Sequence, residues 1–379
     1  MTATLAPKYD PTRRCRPPSL WPAADRLAWE AALRPGDVLD PGGPASRWAP
    51  LTRSGAARAY GRWLTWLDGT GQLEPGASFA DQVTPERVRD FVGALQPVNA
   101  PMTVLHRIES LARAAGALAP DRNWAWLWAE AGWLQRTAVS VRLKHPRLVG
   151  ADELFAFGCE LMAEAEDRPE GSRAGAPWRR AVGYRDGLMV ALLAARPLRL
   201  KNFAAIEIGR HLVVHGTGYR LQVPRAEMKG RRPLRQHGAE LVEQPVPEAL
   251  TPYLERYLVH HRPRLCERGA PQVAYASVDD EPCRALWVGQ SGVALSPVTL
   301  YARIVELTEK RFGRSVNPHL FRDCAATSIA TMDPEHVRIT MTVLGHTKLA
   351  TSERYYNHAR SFEAARLHQA NIMALRRRV

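Results

Sequence analysis

The strongest candidates for catalytic residues include two in a motif near the C-terminus, Pro318-His319-Leu320-Phe321-Arg322. This segment is predicted to start a helix, which places His319 and Arg322 three residues apart on one helical face. The imidazole and the guanidinium can therefore converge on one point. A solvated helix face produces the same spacing by chance, so the pair alone identifies no reaction.

Two further segments follow this motif. In Val343-Leu344-Gly345-His346 a histidine comes directly after a Leu-Gly pair that suits a helix end. The segment from Thr351 to His358 contains the adjacent tyrosines Tyr355 and Tyr356. No general structural rule explains a histidine and a tyrosine at this separation, so the pattern favours a functional site.

The order of these motifs resembles the C-terminal signature of the tyrosine recombinase, or phage integrase, family: His-x-x-Arg, then Leu-Gly-His, then a nucleophilic tyrosine. The resemblance implies another arginine well upstream, after an apolar helix. Arg199 occupies that place, and Arg196 is the neighbour that could be confused with it. Pro197 and Asn202 stand where the commoner Gly-Leu-Arg-x-x-Glu pattern has its glycine and its acid.

The family also has a lysine on a β-hairpin between its two arginines. The segment Glu227-Met228-Lys229-Gly230 follows a predicted strand, and Lys229 is the best match. The resemblance covers residues 148–379 with these motifs. The helical segment before them is similar to the family's core-binding domain only in general character.

The resemblance implies six catalytic residues: Arg199, Lys229, His319, Arg322, His346 and Tyr356. The two arginines would hold the non-bridging oxygens of a DNA phosphate, and the tyrosine would attack the phosphorus. His319 would accept the tyrosine proton or hold the phosphate, Lys229 would protonate the leaving 5′ oxygen, and His346 would hydrogen-bond the phosphate. No metal, ATP or other cofactor is expected.

The nucleophile is either Tyr356 or Tyr355. Counting from His346, the family's commonest spacing selects Tyr355. The Tyr356-Asn357-His358 triplet is similar to the usual Tyr-Thr-His ending, and the residues after it fall into better register from Tyr356. We therefore expect Tyr356 to be the nucleophile and Tyr355 to serve in packing.

Composition agrees with a nucleic-acid partner. The 379 residues carry a net charge of +14, which predicts a polyanionic ligand. Five scattered cysteines show no zinc spacing, and the N-terminus shows no secretory signal, so a reduced, cytoplasmic protein associated with the nucleoid is expected, without membrane contact. The acids nearest to a metal-binding pattern, Asp323 and residues 279–281, are interpreted as surface groups.

Helical periodicity and short strands predict an α+β, mostly helical protein. Residues 1–48 are interpreted as a basic, proline-rich arm with one helix near Ala23 to Leu33. Residues 49–145 are predicted to form a helical core-binding domain with four tryptophans mostly in its core, and residues 148–379 a mixed α/β catalytic domain with a small antiparallel sheet. The strands are expected at 212–214, 219–223, 242–246 and 286–288.

The expected function is site-specific DNA recombination or integration through a 3′-phosphotyrosyl intermediate. The family resemblance implies a double-stranded site with inverted repeats and a homotetramer on synapsed DNA, serving a phage, a mobile element or transposition. An amphipathic segment at residues 361–375 would dock on a neighbouring protomer or pack on its own domain. The alternatives are a type IB topoisomerase-like enzyme and a non-catalytic DNA-binding protein on a recombinase fold.

Overall fold

The computed structural model describes residues 14–74, 76–139, 145–169, 176–227, 241–269 and 283–332. They form two compact units, with the boundary between residues 143 and 144. Helices dominate both units, and the second contains one small antiparallel sheet. The α+β, mostly helical class predicted from the sequence is therefore confirmed. None of the described helices is long and apolar enough to cross a membrane.

The first unit is a helical bundle. Its helices are α1 (Ala23–Leu33), α2 (Pro50–Gly69), α3 (Phe79–Gln82), α4 (Pro85–Leu95), α5 (Pro101–Leu118) and α6 (Ala125–Thr137). One apolar face of α2 is buried, and Trp63 at its centre contacts Phe91 of α4 at 5.3 Å between ring centroids. Helix α4 begins with a side-chain cap: Thr84 Oγ1 accepts the N–H of Arg87, and Pro85 takes the first helical position.

Residues 14–49 are folded onto this bundle rather than extended as an arm. Trp21 and Trp29 are buried, and Trp21 contacts Tyr60 of α2 edge to face at 4.7 Å between ring centroids. The indole Nε1 of Trp21 donates to the Arg16 carbonyl oxygen at 3.0 Å. Large aromatic rings that can be buried outweigh the loop-forming tendency of the surrounding prolines and glycines.

The four tryptophans near α6 do not all belong to the core. Trp124 is buried and Trp126 packs against the core, as predicted. Trp128 and Trp133 are 43% and 48% exposed, so the core prediction is wrong for these two. The guanidinium of Arg113 lies over the Trp128 ring, 5.9 Å from its centroid.

The second unit contains a further set of helices, two of which lead to or carry predicted site residues. They are α7 (Ala151–Glu166), α8 (Pro177–Ala195), α9 (Leu200–Ala204), α10 (Thr251–Arg256), α11 (Arg262–Gly269), α12 (Pro297–Phe312) and α13 (Pro318–Met332). A π-helical turn, Tyr257–His261, joins α10 to α11. The Leu286 and Trp287 side chains are fully buried in the core that α7, α8, α12 and α13 enclose.

Helices α7 and α8 cross in close contact because glycines stand at the crossing. A Cβ atom on Gly158 would lie 2.5 Å from the Ala191 nitrogen, and one on Gly187 would lie 2.6 Å from the Gly158 carbonyl oxygen. Only the missing side chains allow this approach. The crossing fixes α8, whose C-terminal end leads to Arg199.

A buried ion pair fastens α8 to α12. Asp186 is 1% exposed, and its two carboxylate oxygens accept from Arg185 and from Arg303 of α12, each at 2.6 Å. Arg185 also donates from Nη1 to the Val288 carbonyl oxygen at 2.8 Å. Because each charge has partners, its burial is compensated.

The sheet consists of β1 (Leu212–His215), β2 (Gly218–Pro224) and β3 (Leu241–Pro245), antiparallel in that order. The turn between β1 and β2 uses Gly216 at φ +59°, a conformation that favours glycine. Three predicted strands are thus confirmed. The fourth, at 286–288, is wrong as a strand, because this segment forms only isolated bridges such as Val288 to Ala294.

Candidate functional site

Arg199 lies in a tight turn that ends α8. Pro197 disfavours a helical conformation for the residue before it, and Arg196 accordingly has φ −134° and ψ 82°. The Leu198 N–H donates to the Arg196 carbonyl oxygen at 2.7 Å, and the Leu198 side chain is buried. This anchoring leaves Arg199 half-buried at the start of α9, where its guanidinium forms no hydrogen bond or ion pair with any described residue.

The neighbouring arginine is committed to the fold. Arg196 donates from Nε to the Pro245 carbonyl oxygen of β3 at 2.6 Å and from Nη1 to the Ala195 carbonyl oxygen at 2.8 Å. Burial lowers the pKa of Arg196 from its ordinary value. Among the described residues the two arginines therefore differ: Arg196 links α8 to the sheet, whereas Arg199 forms no such link.

Arg322 reaches the same turn from α13. Its side chain is buried, and Nη1 donates to the Pro197 carbonyl oxygen at 2.5 Å. The structure thus brings Arg322 to the backbone two residues before Arg199, although the two arginines are far apart along the chain.

His319 occupies the first turn of α13 and is exposed. The side-chain oxygen of Asn317 accepts the N–H groups of His319 and Leu320, each at 3.0 Å, which caps the helix. This cap fixes the helix start, and the predicted arrangement of His319 and Arg322 on one helix is present.

The connection from β2 to β3, which contains Lys229, is anchored at its start. Glu227 accepts from His211 Nε2 at 3.0 Å and pairs with Arg210. His211 is buried, and its Nδ1 accepts the N–H of Glu207 at 3.1 Å, so the hydrogen on the ring stands at Nε2. The turn before β1 thereby holds the chain two residues before the predicted lysine.

The remaining predicted site residues, Lys229, His346, Tyr355 and Tyr356, lie outside the described residues. So does the amphipathic segment at residues 361–375. Their convergence with Arg199 and Arg322 stays a prediction.

Of the acids that were considered as metal ligands, only Asp323 lies within the described residues. Asp323 is 5% exposed, so its interpretation as a surface group is wrong. Residues 279–281 lie outside the part of the chain that the structure describes. Within that part, no group of three or more His, Cys, Asp or Glu side chains could hold a metal ion.

Sequence reasoning missed the residues that hold α13 in place. Arg147 falls between the two domains predicted at 49–145 and 148–379, and its Nε donates to the Ser315 carbonyl oxygen at 3.0 Å. No local signal could have revealed this bond, because its partners are 168 residues apart.

Neither a protein-family model nor a curated protein matches the chain. Two solved structures of the XerH site-specific recombinase resemble it. The pre-cleavage complex with difH substrate matches over 96% of this chain and 99% of that chain, with a TM-score of 0.50 and 15% identity. The post-cleavage complex with palindromic difH substrate matches over 98% and 99%, with a TM-score of 0.51 and 15% identity. The chain therefore has the tyrosine recombinase fold.

Proposed function

We propose that this protein is a site-specific DNA recombinase that cuts and rejoins strands through a 3′-phosphotyrosyl intermediate. The observation that carries the proposal is the contact of Arg322 with the turn that bears Arg199, within a fold shared with XerH. A turn that carries one arginine and binds the guanidinium of a second suits a phosphodiester, since each guanidinium can bind two anionic oxygens at once.

The cationic side chains do the work that a metal ion does in many nucleases. Attack on a phosphodiester increases the negative charge on its non-bridging oxygens. Donors fixed in advance stabilise that charge most in the transition state. In this proposal Arg199 and Arg322 bind those oxygens, and His346 donates a further hydrogen bond.

The proton transfers balance within the site. The Oη atom of Tyr356 attacks the phosphorus and forms the phosphotyrosine bond, while the bond from phosphorus to the 5′ oxygen breaks. His319 accepts the phenol proton, and Lys229 supplies a proton to the leaving 5′ oxygen. Because the phosphotyrosine retains the bond energy, a 5′-hydroxyl from another strand reverses the step without ATP.

The two units take different parts in this proposal. The helical first unit binds the duplex as a core-binding domain, and the second cleaves it. The net charge of +14 favours a DNA partner. XerH is described in complex with a palindromic site, which supports paired inverted repeats as the target. Recombination of two such sites requires four protomers, and residues 361–375 dock between them.

Covalent capture tests the proposal without knowledge of the target. The protein is mixed with a duplex library that has a randomised centre and a nick near it, so that cleavage releases a short fragment and religation fails. Adducts that survive denaturation are digested, and the attached DNA is sequenced. We expect capture without divalent metal and recovery of a paired inverted repeat.

The alternatives give other results. Capture without sequence preference, together with relaxation of supercoiled DNA, would indicate a type IB topoisomerase-like enzyme. Sequence-specific binding without any adduct would indicate a non-catalytic DNA-binding protein. Either result would overturn the proposal.

A further inference from the structure

Residues 146–151, which we call the strap, run along α13 and the loop before it. Arg147 donates from Nε to the Ser315 carbonyl oxygen and from Nη2 to Ser315 Oγ, each at 3.0 Å. In return, Arg314 Nη1 donates to the Pro146 carbonyl oxygen at 3.1 Å. Two arginines that each bind the other segment's backbone hold the two segments together more firmly than either bond alone.

The strap continues along the helix itself. The Val149 N–H donates to Cys324 Sγ at 3.5 Å, and the Ala151 N–H donates to Ser328 Oγ at 3.0 Å. Residues 324 and 328 are four apart and share one face of α13. The strap therefore follows that face from the loop before the helix to its third turn.

Arg322 leaves α13 on a different side. At about 100° per residue, it stands roughly 200° around the helix from Cys324. Its Nη1 atom is bound to the Pro197 carbonyl oxygen. Helix α13 is thus held between the strap on one face and the turn before Arg199 on the other, which restricts both its rotation and its sliding.

Arg147 binds Ser315 in the short loop between α12 and α13, and other contacts hold the residues on either side of Ser315. Gly313, at φ +64°, ends α12, and Thr308 Oγ1 accepts the Val316 N–H at 2.9 Å. Asn317 caps α13. Ser315 lies between these fixed points, and Arg147 is what binds its carbonyl oxygen.

We propose that Arg147 is a positioning residue for strand cleavage. By holding Ser315 it sets the position of the first turns of α13, and hence of His319 and the Arg322 guanidinium. The inference rests on the proposed function, because the effect is measured on DNA cleavage. Arg147 acts through α13 and does not itself bind the phosphate.

The test compares Arg147→Gln with Arg311→Gln. Arg311 is a matched control on α12, half-exposed and paired with Glu160 at 2.9 Å. With a captured nicked duplex at saturating protein, we expect Arg147→Gln to slow adduct formation about 10- to 100-fold, as displaced catalytic groups do. The Kd for DNA and its salt dependence should stay unchanged. Arg311→Gln should match the parent in the rate of adduct formation, in the Kd and in the salt dependence.

Two variants guard against a loss of folding. Arg147→Lys keeps one donor for Ser315 and should recover part of the rate, although it lacks the planar fork. Arg314→Gln removes only the bond to Pro146 and should slow cleavage by a smaller factor. Thermal unfolding establishes whether each variant is folded. If Arg147→Gln does not fold, the cleavage rate of Arg314→Gln is compared with that of the parent instead.

Amide hydrogen exchange separates this inference from the proposed function. We expect faster exchange over residues 318–327 in Arg147→Gln and parent-like exchange in Arg311→Gln, whether or not any adduct forms. Unchanged exchange there would overturn the inference, and so would an unchanged cleavage rate. A weaker Kd with a smaller salt slope would show instead that Arg147 binds a DNA phosphate. Failure of the parent to form an adduct would count against the proposed function alone.

Discussion

Arg322 donates from Nη1 to the carbonyl oxygen of Pro197 at 2.5 Å, which fixes one edge of its guanidinium. Because the group is planar and rigid, holding one nitrogen orients the other donors as well. A backbone acceptor in the turn before Arg199 thereby holds an arginine of α13 against the turn that ends α8.

Arg199 and Arg196 should respond to substitution in opposite ways. Arg199→Gln should abolish the covalent adduct and leave the free energy of unfolding nearly unchanged, since the Arg199 guanidinium binds no described residue. Arg196→Gln should lower the free energy of unfolding by about 1 to 3 kcal/mol through the loss of two charge-assisted bonds. Its adduct should still form below the unfolding temperature. Denaturant unfolding measures the free energy of unfolding of each variant, and gel electrophoresis measures its covalent adduct. The reverse pattern would make Arg196 the active-site arginine.

The nucleophile can be identified by removal of single hydroxyls. Tyr356→Phe should eliminate the adduct, because phenylalanine has no oxygen to attack phosphorus. Tyr355→Phe is the matched control and should still form it. Mass spectrometry of the peptide attached to DNA locates the modified residue independently. Adducts that persist in Tyr356→Phe and vanish in Tyr355→Phe would assign the role to Tyr355.

His261 should make the second unit sensitive to acid. It is 6% exposed, Nε2 donates to Glu166 Oε1 at 2.6 Å, and buried Nδ1 has no partner among the described residues. Burial lowers the pKa of His261 despite the nearby Glu166 carboxylate. A proton at Nδ1 would add a buried charge and a donor without an acceptor.

The direction in which stability changes with pH follows from proton binding at His261. Below about pH 6.5 the unfolded chain binds a proton at His261 that the folded chain binds only at lower pH, so the free energy of unfolding falls as the pH is lowered. Urea unfolding at about pH 8 and about pH 5.5, on either side of the ordinary histidine value, should show this loss. In His261→Gln, whose amide can still donate to Glu166, the loss should be smaller. An equal loss in both proteins would refute the assignment.

The crossing of α7 and α8 should not tolerate a methyl group. Gly158→Ala would bring its Cβ to 2.5 Å from the Ala191 nitrogen, which is backbone and cannot rotate away. We expect a loss of about 1 to 3 kcal/mol or more in the free energy of unfolding. Gly116→Ala in α5 is the control, because its Cβ would meet nothing within 4 Å and alanine favours helix. Equal stability of the Gly158 variant and the parent would show that the helices can separate at no cost.

Much of the local structure could be predicted from the sequence. The α2 face, the Thr84 cap and the hairpin at Gly216 follow from periodicity, capping chemistry and turn chemistry, which act over a few residues. The link between the motifs of His319 and Arg322 and that of Arg199 came from resemblance to a family, not from any local rule.

The wrong predictions about burial share a physical cause, which is that tertiary contacts decide whether a side chain is buried. Asp323 is buried because of what the fold places around it, and one sequence window cannot show that. Helix α6 is apolar on more than one side, so its pattern did not reveal that Trp128 and Trp133 face outward. Trp21 joins the core through a long-range contact with Tyr60 of α2, and Trp29 packs against Trp21. The proline and glycine content of this stretch conceals both contacts.

The buried Cys324 thiol, which accepts the N–H of Val149 in the strap, is a chemical probe of opening in this part of the protein. Removal from water raises the pKa of the Cys324 thiol to about 11, so almost no thiolate exists near neutral pH. An alkylating reagent can therefore modify this sulfur only when a local or global opening of the second unit exposes it to water. In a variant whose other cysteines are replaced, the alkylation rate would count those openings directly, without DNA and without a working nucleophile.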